Sequence, residues 1–184
     1  MALTESVCES LMEGETIFAY YRSVILTSDR ISGILSLTAV YKDYRLPTIQ
    51  NILREEHITL RNLLMRAEDP TVELVPASGY MFAHSVVSGE DVLEAIIYIM
   101  AFKSMTRTAL AAVLRREITS VSRTLNHKDE MRMSVRDVCV YAIALDIAAS
   151  TLIAVAEMMK KRRVYGTKHF RRAEESGQLL NLLL

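Results

Sequence analysis

Tryptophan is absent from this chain of 184 residues, which contains only three prolines, six glycines and two cysteines. Because proline and glycine interrupt helices, their scarcity leaves long stretches in which helix-forming leucine, alanine, methionine, glutamate and arginine prevail. This composition predicts an all-α fold. Cys8 and Cys139 suggest neither a zinc site nor a disulfide framework, so we expect reduced thiols and a cytoplasmic, intracellular protein.

The sequence also offers no clear secretory leader or membrane span. Its first twenty residues carry four glutamates and no basic leader. The best candidate span, residues 138–159, contains Asp146 and Glu157. A charge in the middle of a bilayer is costly, so we expect no transmembrane segment.

The net charge of the chain is zero, but positive and negative residues are distributed unequally along it. Residues 1–100 contain 7 lysines and arginines against 14 aspartates and glutamates, whereas residues 101–184 contain 15 against 8. The two parts therefore carry net charges of −7 and +7. This distribution fits an ordinary solvated surface, head-to-tail self-association, or a basic face for nucleic acid, anionic lipid or an acidic protein.

Helical periodicity and short turn signals predict an antiparallel four-helix bundle made of two helical hairpins. The first hairpin spans residues 4–66, and its first helix runs to about residue 26. A long crossover spans 67–88. The second hairpin spans 89–163, with two uninterrupted helices at about 89–125 and 135–163. Together they form one domain, 1–166. A short C-terminal helical arm, 167–184, follows it.

The second hairpin carries the clearest local signals. Ser88 and Ser134 each stand three residues before an aspartate, a spacing that predicts two capping boxes. Residues 95–102 are apolar on every side, which predicts a helix buried within the bundle. Gly166 predicts the end of the last helix.

Hairpin geometry also predicts which charged residues lie at the same level of the bundle. Lys103 is placed opposite Glu157. Asp146 stands alone in an apolar helix, so we expect it to be paired with Arg115 or Arg116, or else protonated.

A metal site is an alternative interpretation. Four helices with a central crossover, and the run Arg54-Glu-Glu-His57 near the end of the second helix, resemble the ferritin-like family. Arg54 stands where that family has glutamate. The resemblance implies a metal-binding oxidase or storage protein with Glu15, Glu56, His57 and Glu94 as ligands. The preferred prediction is no metal and no cofactor.

Residues 106–126 allow a third interpretation. Their apolar spacing resembles a helix-turn-helix DNA-binding regulator, with Arg115 at the turn and Ser120 and Arg123 facing base edges. A continuous amphipathic helix explains the same spacing without a turn. The sequence favours the continuous helix, because the residues at the turn are helix formers.

The densest positive charge lies at the end of the last helix and in the arm. These cations either complement the helix dipole or bind phosphate. The predicted polyanion-binding residues are Lys160, Lys161, Arg162, Arg163, Lys168, Arg171 and Arg172, with a second patch at Arg115, Arg116 and Arg123.

Six residues at the C-terminus, 179–184, are almost all leucine and either cover the chain's own core or dock on a neighbour. The predicted oligomerisation residues are Leu179, Leu180, Leu182, Leu183 and Leu184. No nucleophile with a base, phosphate-cradling glycine loop or zinc spacing points to catalysis. We therefore predict a non-enzymatic, self-assembling structural or interaction protein, of the kind found in matrices, coats and nucleocapsids, that binds nucleic acid or another polyanion.

Overall fold

The computed structural model describes residues 44–55, 57–69, 71–126 and 133–167, together with Arg171, Gly177, Asn181 and Leu183. The predicted first helix lies outside the described residues. So does most of the predicted arm.

The described residues form eight helices, and the isolated bridge between Arg45 and Ser134 is the one β-type pairing among them. The helices are α1 Leu46–Glu55, α2 Leu60–Glu68, α3 Gly79–Ser85, α4 Gly89–Phe102, α5 Arg107–Val113, α6 Ile118–Asn126, α7 Val135–Ala144 and α8 Ala149–Tyr165. The prediction of an all-α fold is confirmed. The arrangement as a four-helix bundle is not confirmed.

Helix α8 lies at the centre of the described fold. It packs mainly against α4 and α2, and also against α7 and α3. Leu152, Ile153, Val155 and Ala156 are buried along it. Alanines in this helix let neighbouring backbones approach closely, so α8 holds the other helices in one hydrophobic core.

The predicted helix ends agree with the structure where capping residues mark them. Ser88 and Asp91 form a capping box at the start of α4, and Ser134 and Asp137 form another at the start of α7. Gly166 ends α8 with a φ of 82°, a conformation that glycine adopts without steric cost. These three predictions are confirmed.

The long uninterrupted helices predicted for residues 89–125 and 135–163 are wrong. The first is divided into α4, α5 and α6, and the second into α7 and α8. The chain bends by 107° between α4 and α5 and by 103° between α7 and α8. Neither bend contains proline or glycine, which is why periodicity alone missed them.

Four connections between helices use the same backbone device, and we call each of them a corner. In each corner four residues separate two helices, and the second of these four residues has a positive φ. The four positive-φ residues are His57, Ser104, Arg115 and Asp146. At the α7–α8 corner the Asp146 amide donates to the Ile143 carbonyl at 2.9 Å and the Ile147 amide to the Ala142 carbonyl at 3.0 Å. This pair of bonds is the Schellman arrangement that satisfies the last carbonyls of a helix.

The residue after the positive-φ position is apolar in three corners. Ile58, Met105 and Ile147 all pack against the core. In the α5–α6 corner this position is Arg116, which is exposed. The α1–α2, α4–α5 and α7–α8 corners therefore pack a partly buried apolar side chain against the core, whereas the α5–α6 corner turns charge towards solvent.

Helix α4 is less enclosed than predicted. Its inner face is buried, but Ile97 and Phe102 are exposed. The predicted crossover contains α3, in which Phe82 is buried, while Tyr80 and Met81 are exposed.

The predicted pairing of Lys103 with Glu157 is wrong. Lys103 Nζ donates to the carbonyl of Asp146 at 2.8 Å, and Glu157 pairs with Arg61 of α2 at 3.5 Å. Asp146 itself is exposed at its corner rather than enclosed in an apolar helix. Because the chain bends by 103° after α7, residues at the same level of an ideal hairpin do not meet.

Within the described ranges, no single helix is long and apolar enough to cross a membrane. Two bent pairs, α4 with α5 and α7 with α8, reach that length and hydropathy only in combination.

Candidate functional site

The α5–α6 corner joins two short helices through a four-residue turn. Helix α5 ends at Val113, α6 begins at Ile118, and Arg115 between them has a φ of 49°. The preferred prediction of one continuous helix over residues 106–126 is therefore wrong. The turn falls at Arg115, where the helix-turn-helix interpretation placed it.

Five apolar side chains close this motif on its inner side. They are all buried in the common core: Leu110, Ala111, Leu114, Val121 and Leu125. Thr106 caps α5 by accepting a hydrogen bond from the Ala109 amide at 3.1 Å, and Arg107 donates to Asn126 Oδ1 at 3.0 Å. The start of α5 is thus tied to the end of α6.

The outer side of the motif is polar and basic. Arg115, Arg116 and Arg123 are exposed, as are Thr119 and Ser120 near the start of α6. One carboxylate is also present, since the Thr119 hydroxyl donates to Glu117 Oε2 at 3.3 Å. The three arginines of the second predicted patch are therefore exposed in the turn and on α6, and we call this set the basic corner.

The basic run at the end of α8 is divided by the fold. Lys160 Nζ donates to the carbonyls of Ala83 and Val86, at 2.9 and 2.7 Å, and so caps the end of α3. Arg163 pairs with Glu90 at 2.5 Å and with buried Asp91 at 2.8 Å. Two of the four consecutive cations thus hold α8 against α3 and α4.

The other predicted cations have different surroundings. Lys161 and Arg162 are exposed on α8, and Arg171 is exposed beyond it. Lys168 and Arg172 lie outside the described residues.

Of the predicted oligomerisation residues, the structure describes Leu183. Leu183 is 9% exposed and belongs to the hydrophobic core cluster. Leu179, Leu180, Leu182 and Leu184 lie outside the described residues. At Leu183, contact with the chain's own core is the arrangement observed.

The alternative metal ligands do not form a site in the described part of the chain. No group of three or more histidine, cysteine, aspartate or glutamate side chains that could hold a metal ion occurs there. His57 is exposed at the α1–α2 corner, and Glu94 lies on α4. Glu15 and Glu56 lie outside the described residues.

A cleft that the sequence did not reveal opens between α2, α3 and the end of α8, with a volume of about 680 Å³. We call it the α8 cleft. Its lining residues are Thr59, Arg61, Asn62, Tyr80, Met81, His84, Ser85, Glu157, Lys161 and Tyr165. They come from three separate stretches of chain, so no local motif could have predicted it.

Glu157 is the carboxylate of the α8 cleft, and its side chain is 13% exposed. Burial raises its pKa to about 7, against the opposing effects of Arg61, Lys161 and Lys160, which lower it. The 3.5 Å separation from Arg61 is long for an ion pair, so the loss of hydration outweighs the attraction. The carboxyl group therefore changes its protonation state near neutral pH.

Glu68, the last residue of α2, is a second carboxylate that is largely removed from solvent. Burial raises its pKa, while hydrogen bonds from the Ser150 hydroxyl and from the backbone near the start of α8 lower it. Its partners are amides of a helix N-terminus, so we assign Glu68 to the stability of the fold.

No protein-family model, no curated protein and no solved structure matches this chain. The functional proposals below therefore depend on the residues and geometry alone.

Proposed function

We propose that this protein binds double-stranded DNA through the basic corner. The observation that carries the proposal is Arg116. Three corners of the chain place a partly buried apolar side chain at the equivalent position, whereas this one exposes an arginine beside Arg115.

The dimensions of α6 suit the major groove. An α-helix with its side chains is about 10–12 Å across and the groove is about 12 Å wide, so α6, a helix of nine residues, can enter it. In a helix-turn-helix, the second helix enters the groove and its first residues contact base edges. Ser120 and Arg123 are the exposed residues that we assign to bases, and Arg115 and Arg116 those that we assign to phosphates.

The strained backbone at Arg115 is a second argument. A non-glycine residue at positive φ costs about 1–2 kcal/mol, and glycine is the usual residue at this position of a helix-turn-helix. Arg115 therefore occupies a position that glycine would fill with less strain. Its side chain is exposed, and a guanidinium is well suited to contact phosphate.

Glu117 opposes phosphate binding, because its carboxylate lies in the same turn as Arg115 and Arg116. The proposal can therefore be tested by removing charges of opposite sign. Removing this charge should strengthen binding to DNA, while removing Arg123 should weaken it.

The run at 160–163 is a weaker candidate for DNA contact, since Lys160 and Arg163 already bind groups within the chain. Self-assembly through residues 179–184 stays a separate proposal, supported by the charge asymmetry of the two parts of the sequence. A metal-binding oxidase is not proposed, because no described residues gather the ligands.

The experiment is fluorescence anisotropy of a labelled duplex, titrated with the full chain at several salt concentrations. Arg115→Gly should raise the free energy of unfolding by about 1 kcal/mol, since glycine accepts the positive φ, and yet weaken DNA binding. Ser104→Gly is the matched control. It makes the same backbone change at the α4–α5 corner and should stabilise the fold without altering DNA affinity.

Arg123→Gln should weaken binding and lower the salt slope by about one, while Glu117→Gln should strengthen binding. Lys161→Gln with Arg162→Gln tests the α8 run. If that pair abolishes binding while Arg115→Gly and Arg123→Gln leave it intact, the proposal is overturned.

A further inference from the structure

We infer that the α8 cleft binds a small planar aromatic carboxylate. This site is separate from the basic corner, and the inference does not depend on DNA binding. Its support comes from the size of the cleft, from its aromatic wall and from the sign of its charge.

The cleft has the size of a small-molecule site. Such sites have volumes of about 300–1,000 Å³ and combine apolar walls with a few convergent polar groups. The α8 cleft, with a volume of about 680 Å³, lies within that range. Thr59, Asn62 and Ser85 supply neutral polar atoms at its edge.

One wall of the cleft is a row of three rings. Tyr80 and His84 meet edge to face, with ring centroids 4.3 Å apart, and the His84 and Tyr165 centroids lie 6.3 Å apart. Tyr80 is 76% exposed and Tyr165 is 54% exposed. A planar aromatic ligand would remove these ring faces from water, which is favourable in proportion to the apolar area buried.

The charges of the lining select an anion. Arg61 and Lys161 are cations, and Glu157 is the one carboxylate among the lining residues. With His84 neutral, the lining carries a net charge of +1 when Glu157 is ionised and +2 when it is protonated. The Arg61 side chain is 37% exposed, and its guanidinium has five N–H donors, more than its single 3.5 Å contact with Glu157 uses.

Glu157 makes the site sensitive to pH. The groups that face it are Arg61 from α2, His84 from α3, and Lys160 and Lys161 from α8, while Glu90 and Asp91 of α4 are engaged by Arg163. A protonated Glu157 can donate a hydrogen bond to the ligand, whereas an ionised Glu157 repels it. Because burial raises the pKa of Glu157 to about 7, affinity should fall as pH rises from 6 to 8.

The test uses naphthalene-2-carboxylate as the probe and its neutral amide as the matched control compound. Binding to the full chain is measured by calorimetry, with amide chemical shifts to locate it. The carboxylate should bind at least tenfold more tightly than the amide, and the shifts should be confined to α2, α3 and the end of α8. Equal affinity for the two compounds would overturn the inference.

Variants locate the contacts. Lys161→Gln and Tyr80→Ala change exposed side chains, so they should preserve the fold and weaken carboxylate binding by about tenfold each. Arg54→Gln, on the exposed side of α1, and Arg123→Gln, in the basic corner, should leave it unchanged. Binding that is unaffected by both Lys161→Gln and Tyr80→Ala contradicts the assigned site.

Discussion

Glu68 of α2 caps the start of α8 through Ser150. The Ser150 amide donates to Glu68 Oε1 at 3.1 Å, and the Ser150 hydroxyl donates to Glu68 Oε2. Ala148, the residue before α8, has no side-chain cap of its own. A carboxylate 82 residues away in the sequence therefore supplies the cap that the local sequence lacks.

The first prediction concerns this cap. Glu68→Gln should lower the free energy of unfolding by about 1–2 kcal/mol, because an amide presents only one acceptor oxygen to the helix N-terminus. Urea denaturation of Glu68→Gln, Ser150→Ala and the double variant measures their coupling. We expect a coupling energy of about 1 kcal/mol, and strictly additive losses would show that the two side chains act independently.

The second prediction is a pH dependence. The pKa of Glu157 is raised in the folded chain to about 7 from a usual value of 4.5. Between these pH values the unfolded chain therefore binds fewer protons than the folded chain. The resulting contribution to the free energy of unfolding is fully present below pH 4.5 and is lost as pH rises through 7. Relative to Glu157→Gln, the free energy of unfolding of the native chain should fall by up to roughly 3 kcal/mol across this pH range.

Urea denaturation of the two chains from pH 4.5 to pH 8 measures this difference. Arg61→Gln provides the matched control, because Arg61 lowers the pKa of Glu157. In Arg61→Gln, the fall in the free energy of unfolding should occur at higher pH. A constant difference between the native chain and Glu157→Gln at every pH is incompatible with the prediction.

The third prediction concerns Gln50, a buried residue of α1 that the sequence did not single out. Its side-chain amide donates to the Val87 carbonyl at 2.9 Å and accepts from the Val87 amide at 2.8 Å, so it holds the segment before α4. Gln50→Leu should cost about 2–3 kcal/mol, because both backbone groups of Val87 would be buried without partners.

Thermal unfolding and hydrogen exchange at the Val87 amide measure this effect. Exchange at Val87 should accelerate in Gln50→Leu. Asn51→Leu, on the exposed side of the same helix, should leave both measurements unchanged. Slow exchange at Val87 in Gln50→Leu would mean that another group holds the segment.

The fourth prediction concerns self-association. Because the two parts of the sequence carry opposite charges and the terminus is rich in leucine, we expect a mass above that of one chain at low salt. High salt, or truncation after Arg172, should reduce it. Light scattering on both chains at both salt concentrations measures this, with circular dichroism to confirm folding. One-chain masses under all four conditions would end the assembly proposal.

The sequence by itself determined the helical class and the capped helix ends. Ser88, Ser134 and Gly166 act through bonds to residues within four positions, so their effects are visible locally. The basic corner was partly visible for the same reason, since the turn at Arg115 was one of two interpretations that local spacing allowed.

Only the tertiary structure decided where the helices bend and what their charged residues contact. At Asp146 the residues favour a continuous helix locally, yet the chain bends there by 103° and Ile147 packs against the core. Glu157 meets Arg61, and Arg163 meets Asp91, across helices that are distant in sequence. Such contacts depend on how the core packs, because each helix faces its neighbours only after the corners have set their directions.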